Sequence, residues 1–185
     1  MEMLGQLWLP ILVAAAFVFV ASFLSWMLLP FHKKEWKKIQ DEDAFFADLK
    51  ARGIGPGKYM FPSYEGEDCK DPAFLARWKA GPHGVITVWG KQPNMGRNLG
   101  LSFLFYLLVG VFVGYLAGIV LPAGADYLKV FQVTGVGAIL AYVFGQIPDA
   151  IWFQKSLGGF VLAVVDGVVY GLLTAGTFAW LWPAA

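Results

Sequence analysis

The sequence predicts an all-α integral membrane protein with four transmembrane helices and a small α+β cytoplasmic segment between helices 1 and 2. Three observations carry that reading. Of 185 residues, 58% are hydrophobic and 15% charged, against about 45–50% and about 25% in soluble domains. Four stretches reach the roughly 20 mostly apolar residues that a spanning helix needs. The charge is also partitioned, since 21 of the 27 formally charged side chains fall between Pro30 and Arg97. A near-normal charged cap is thus joined to an almost uncharged bundle.

The same numbers exclude several classes. One cysteine rules out a disulfide scaffold, and the apolar content rules out a disordered chain. A net charge of +1 provides no general basic field for nucleic acid.

The first span runs from Leu7 to Leu29 without a charge. A signal peptide would want a basic start and a shorter apolar run. Here only Glu2 precedes the span and the basic cluster follows it, so it reads as an uncleaved anchor. The second span, Leu99–Leu121, is also uncharged. The third, Val130–Ile147, carries Gln132 and Gln146 near its ends, and the fourth, Leu157–Trp182, holds Asp166. Trp8, Trp26, Trp152, Trp180 and Trp182 sit near span ends, where amphipathic rings prefer the headgroup level.

Orientation follows from the basic residues. Twelve of the 14 Lys and Arg lie between Pro30 and Arg97, which the positive-inside rule places in the cytoplasm. The predicted division is residues 1–30 as helix 1 with the N-terminus outside, 31–97 as the cytoplasmic segment, and 98–185 as a three-helix bundle with the C-terminus outside. The Pro122–Lys129 turn is then outside and the Pro148–Ser156 turn inside.

Within the segment, Phe31–Ile39 combines Phe31, Trp36 and Ile39 with Lys33, Lys34, Lys37 and Lys38. This suits a short interfacial helix whose lysines meet anionic lipid headgroups. Asp41–Arg52 reads as a helix capped by Asp41 or Asp43, with Phe45, Phe46 and Leu49 on one stripe. Asp71–Ala80 reads as a second helix, Asp71 capping and Pro72 in the first turn. Gly84–Trp89 alternates toward a strand with Val85, Thr87 and Trp89 on one side.

Chemistry is hard to find there. Gly55-Pro56-Gly57-Lys58 lacks the phosphate-loop spacing and reads as a tight turn. Glu65, Glu67, Asp68, Cys69 and Asp71 crowd together without calcium-loop spacing, so a solvated acidic loop is expected. Cys69 has acidic neighbours and no second cysteine. His83 reads as a turn residue.

In the bundle, Ser102, Tyr106, Gly110, Gly114 and Gly118 share one stripe of span two, and Gly167 and Gly171 continue to Ala175 on span four. Small residues at this spacing allow close helix approach. Asp166 costs about 2.5–3.5 kcal/mol at a helix centre on insertion scales. Tyr170 and Thr174 share its face and Thr177 continues it. Such a stripe points into the bundle, where Tyr142 or Gln146 is the expected partner. Two readings stand: a proton- or ion-responsive site, and a protonated Asp acting as an interhelical hydrogen-bond donor.

No cofactor is predicted. The two histidines, His32 at a span edge and His83 in the segment, do not suit axial haem ligation. The sequence shows no intramembrane His/Glu/Asp cluster and no Ser/His pair for hydrolysis.

Gly57-Lys58-Tyr59-Met60-Phe61-Pro62, Arg77-Trp78-Lys79-Ala80-Gly81-Pro82, Gly96-Arg97-Asn98 and the close from Asp166-Gly167 through Tyr170-Gly171-Leu172-Leu173-Thr174-Ala175-Gly176-Thr177 resemble a group of uncharacterised bacterial inner-membrane proteins. That resemblance implies a multi-pass protein of the bacterial inner membrane and brings no activity. The expected function is a non-catalytic membrane subunit packing in a larger respiratory or photosynthetic assembly, or as a homo-oligomer. The alternative is a small proton- or ion-coupled transporter or channel using Asp166, with Tyr170 and Thr174 lining its path. A lipid enzyme using Asp68 and Asp71 has no supporting spacing.

Overall fold

Helix α1, Trp8–Phe23, is apolar throughout and continues through a π-helical turn, Leu24–Leu28. The computed structural model describes residues 5–63 and 70–185. Leu29 turns extended, with ψ 146°, the conformation imposed on a residue that precedes proline. The chain then tightens into a five-residue 3₁₀ turn, Phe31–Glu35. The expected interfacial helix to Ile39 does not form, and the backbone is irregular from Trp36 onward. The 3₁₀ turn brings residues i and i+3 into register, which lets His32 reach Glu35.

Helix α2, Glu42–Ala51, is capped by Asp41, whose carboxylate accepts from Ala44 N at 3.2 Å. Strand β1, Gly57–Phe61, follows. Gly57 and Lys58 therefore open a strand rather than close a turn. Helix α3, Pro72–Ala80, starts as the sequence indicates: Asp71 accepts from Ala73 N at 3.0 Å and from Phe74 N at 3.3 Å. Strand β2, Gly84–Val88, pairs antiparallel with β1, from Gly57 opposite Val88 to Phe61 opposite Gly84. The expected alternation along β2 is absent, since Val85 is half-buried while Thr87 and Trp89 are exposed. A two-stranded ribbon has too little opposing surface to bury one face fully.

Helix α4, Met95–Val120, begins under Asn94, which accepts from Arg97 N at 2.9 Å. Helix α5, Tyr127–Val143, passes through a 3₁₀ turn, Phe144–Gln146, into the short α6, Ile147–Trp152. Pro148 thus sits in the first turn of a helix, where its missing N–H costs nothing, and the predicted turn from Pro148 starts only after Trp152. Helix α7, Leu157–Trp180, is capped by Ser156.

The described residues form two compact units, Lys37–Pro93 and the remainder. The charged unit holds α2, α3 and the β1–β2 ribbon, with Phe74 buried and packed on Trp78 at 5.7 Å. In the other unit four helical stretches are long and apolar enough to cross a membrane: Trp8–Leu28, Met95–Val120, Tyr127–Trp152 and Leu157–Trp180. Two buried clusters hold them together. Leu7, Ile11, Ala14, Val130, Phe178 and Ala179 form one, and Val18, Val109, Val113, Ala138, Tyr142 and Tyr170 the other.

Glycine sets the helix separations. A Cβ on Gly167 would meet Val143 Cγ2 at 2.6 Å, and one on Gly171 would meet Ile139 Cγ1 at 2.4 Å, so α7 lies directly against α5. Gly110 faces Ile11 of α1 and Gly114 faces Phe178 of α7, each at 3.2 Å from its ideal Cβ. Gly118 is half-buried.

Candidate site at the C-terminal end of helix 1

The π-helical turn and the 3₁₀ turn fold the chain back on itself around His32. Leu29 N donates to Leu24 O across the wider π-type ring. His32 then lies flat beneath Trp26, with ring centroids 3.8 Å apart and planes 6° apart. The imidazole is 3% exposed. It faces two carboxylates from opposite ring edges: Nε2 is 3.0 Å from Asp166 Oδ2, and Nδ1 contacts Glu35 Oε1. Ser25 Oγ donates to Asp166 as well, at 2.9 and 3.1 Å from its two oxygens.

Asp166 thus finds its partners in Ser25 and His32, on the far side of the sequence. Tyr142 and Gln146, the partners expected from the third span, do not hydrogen-bond to it among the described bonds. Gln146 instead donates to Tyr142 O at 2.8 Å. Glu35 reaches the start of α7, where a Cβ on Gly159 would stand 3.0 Å from its Oε2. Glycine at that position leaves room for the carboxylate beside a helix N-terminus, which favours negative charge.

The sequence offers no intramembrane His/Glu/Asp cluster of the metalloprotease kind; the structure nonetheless brings one imidazole and two carboxylates together at the end of helix 1. The cluster is Glu35, His32 and Asp166, the last two 134 positions apart. Ser25 is no activated nucleophile, because its single hydroxyl proton is directed to Asp166 rather than to His32. Nor do the three groups surround a common point, since the carboxylates lie on opposite edges of one ring. Among the described residues no group of three His, Cys, Asp or Glu is arranged to hold a metal.

Proton counting gives this cluster its chemistry. A neutral imidazole has one donor and one acceptor nitrogen. Two hydrogen bonds to two carboxyl groups therefore require either an imidazolium between two carboxylates or a neutral ring between one carboxylate and one carboxylic acid. Both forms hold the same number of protons and the same net charge of −1. They differ only in where the shared proton rests: on His32, on Glu35 or on Asp166. Moving it requires no rotation of the ring.

The two ends differ in exposure. The Glu35 side chain is 25% exposed, that of Asp166 17%. Asp166 borders a cavity of about 180 Å³ that Trp26, Phe105, Tyr106, Tyr142, Gln146 and Tyr170 also line. The rings pack edge to face: Tyr106 on Tyr142 at 6.1 Å, Tyr106 on Tyr170 at 6.2 Å, and Tyr142 on Tyr170 at 5.8 Å. Trp26 and Phe105 stand at the rim, each 48% exposed. The Tyr170 hydroxyl is buried and has no hydrogen-bond partner among the described residues.

The other sequence candidates separate. Tyr170 joins Asp166 at the cavity. Thr174 does not line it, and its hydroxyl donates back to Tyr170 O at 2.9 Å, as Thr177 does to Leu173 O at 2.7 Å. Lys33 and Lys34 are exposed on the 3₁₀ turn, and Lys37 and Lys38 are exposed at the start of the charged unit. Asp149 pairs with Lys155 at 3.7 Å. His83 packs edge-on to Trp78 at 5.1 Å. Glu65, Glu67, Asp68 and Cys69 lie outside the described residues. Ser25, Trp26, His32 and Glu35 escaped the sequence reading; the one available signal was a serine, a tryptophan and a histidine closely bracketing Pro30.

No family model matches the chain, and no curated protein or solved structure is similar to it.

Proposed function

We propose that the chain is a multi-pass protein of the bacterial inner membrane that relays protons, as a small proton-coupled transporter or channel with Asp166 as its inner proton carrier. One observation carries this reading: a carboxylate–imidazole–carboxylate chain joins the partly exposed Glu35 to the cavity-lining Asp166. Asp166 ends a continuous three-group path.

The depth of the site fits. With the basic segment in the cytoplasm, the end of helix 1 and the start of α7 meet at the inner face. Asp166 follows Ser156 by ten positions, about 15 Å along a helix rising 1.5 Å per residue. Glu35 then faces the cytoplasmic side, and Asp166 lies one imidazole ring deeper, beside Ser25 in the last turn of helix 1. The lipid-facing exterior is supported by exposed Phe112, Ile119 and Trp180, and Lys33, Lys34, Lys37 and Lys38 suit anionic headgroups at the inner surface.

A partner subunit has less behind it. Gly110, Gly114, Gly167 and Gly171 are covered by helices of the same chain, so these faces carry no argument for a larger assembly.

The test is potential-driven proton uptake into liposomes holding the purified chain and a trapped pH dye. Asp166→Asn keeps the shape and removes the ionisable proton, and His32→Gln breaks the path at its centre. Uptake by the wild type should fall at least tenfold in each variant. Uptake that survives either change, in a chain that still elutes as a single species in detergent, would overturn the relay.

A further inference from the structure

Beyond moving a proton, the inner end of the relay has the makings of a ligand site. The cavity is walled by five aromatic rings, Trp26, Phe105, Tyr106, Tyr142 and Tyr170, and its charged side chain is the Asp166 carboxylate. No Lys, Arg or His lines it. Aromatic faces carry negative quadrupole charge and attract cations, more strongly where water is excluded. A carboxylate among such faces selects the same sign of ligand.

Two further details narrow the class. Tyr170 is 92% buried by its 8% exposure, yet its hydroxyl has no partner among the described residues. A buried unpaired hydroxyl is costly, and a ligand N–H would satisfy it. Asp166 has spare capacity too. A carboxylate offers about four acceptor sites, while Ser25 and His32 are its partners among the described bonds. A quaternary ammonium would meet the aromatic walls but has no N–H for either oxygen. The volume sets the scale, because about 150 Å³ suffices to hold benzene and this cavity has about 180 Å³.

We infer that the cavity binds a small protonated amine carrying one aryl or short alkyl group. Its ammonium donates to Asp166 and to the Tyr170 hydroxyl, and its apolar group lies against Phe105, Tyr106 and Tyr142. The half-exposed Trp26 and Phe105 mark the entrance. This deepens the proton-relay reading and rests on it in one respect: when the shared proton moves onto Asp166, the cage loses its anion and releases the cation. Proton and amine then occupy the carboxylate by turns.

The experiment measures equilibrium binding to the full-length chain in detergent with three probes: benzylamine, benzyltrimethylammonium and the neutral benzyl alcohol. Benzylamine should bind saturably, at least tenfold tighter than benzyltrimethylammonium, and benzyl alcohol should not saturate. Tyr170→Phe removes only the hydroxyl and should weaken benzylamine about tenfold while leaving benzyltrimethylammonium unchanged. Asp166→Asn should abolish binding of both cations. Absence of saturable benzylamine binding, equal binding of the alcohol, or an indifferent Tyr170→Phe variant would each overturn the inference. If benzylamine fails to bind while Asp166→Asn still stops proton uptake, the ligand assignment falls and the relay stands. If benzylamine binds as described while proton uptake survives Asp166→Asn, the relay falls and the amine site stands.

Discussion

A methyl group at Gly171 tests the contact that fixes this site in place. Built on the backbone, it would stand 2.4 Å from Ile139 Cγ1, and 3.2 and 3.3 Å from the backbone N and Cα of the same residue. The first clash is with an atom one bond from the isoleucine Cβ, whose χ1 has a single strongly preferred rotamer in a helix, so rotation relieves it only at a cost. The other two are with backbone and can be relieved only if α5 and α7 move apart by some tenths of an ångström. Overpacking of this kind costs about 1–3 kcal/mol. Alanine also exceeds glycine in helix propensity by up to about 1 kcal/mol, but helices that separate within a micelle keep their internal hydrogen bonds. That gain is present on both sides of the equilibrium and largely cancels.

Gly171→Ala should therefore lose about 1–3 kcal/mol, in the upper half of that range because backbone is struck. Gly100→Ala in α4 is the control, since a Cβ there meets nothing within 4 Å, and it should stay within about 0.5 kcal/mol of the wild type. The assay is unfolding of the purified chain in mixed micelles by rising SDS, followed by tryptophan fluorescence. Equal midpoints for Gly171→Ala and the wild type would refute the close α5–α7 packing. So would an equal loss in Gly100→Ala.

Two further outcomes are expected. His32→Ala leaves Asp166 with Ser25 alone and should cost about 3–5 kcal/mol, as removal of one member of a buried pair does; in Asp166→Asn the same change should cost less by about 1–3 kcal/mol of coupling, and additive losses in the SDS titration would show the pair uncoupled. Asp71→Ala removes the acceptor for two backbone N–H groups at the start of α3 and should destabilise the charged unit by about 0.5–2 kcal/mol, seen as faster amide exchange at Ala73 and Phe74, which an unchanged rate would contradict.

What the sequence made legible was what depends on local pattern. Four apolar runs marked the long helices, and Asp41 and Asp71 marked the caps of the short helices α2 and α3, because capping involves residues two or three positions away. Asp166 stood out because a carboxylate in an apolar run is costly wherever the helix packs. Its partners did not stand out. Ser25 and His32 lie 141 and 134 positions away, and no periodicity connects residues on different helices. From sequence His32 reads only as a histidine at a span edge. Its burial depends on Pro30 ending helix 1 and on the 3₁₀ turn that folds the imidazole under Trp26. β1 was missed for a related reason: Gly57–Phe61 is a strand because β2 pairs with it.

The position of Gly167 next to Asp166 joins the packing of the bundle to the chemistry proposed for it. A proton passes between groups only while they stay within hydrogen-bonding range, about 2.7–3.2 Å between heavy atoms. His32 Nε2 is 3.0 Å from Asp166, near the far side of that range. Asp166 is carried on α7, and α7 is held against α5 at Gly167, where a Cβ would strike Val143 Cγ2 at 2.6 Å and Tyr142 O at 3.3 Å. The same approach brings Tyr142 edge-on to Tyr170 and so shapes the aromatic wall. Spreading α5 from α7 by about half an ångström would open the cavity wall that Tyr142 and Tyr170 share. The small residues beside Asp166 are thus part of the site's geometry, although none of them can carry a proton or touch a cation. Helix spacing and the shape of the aromatic wall are one constraint.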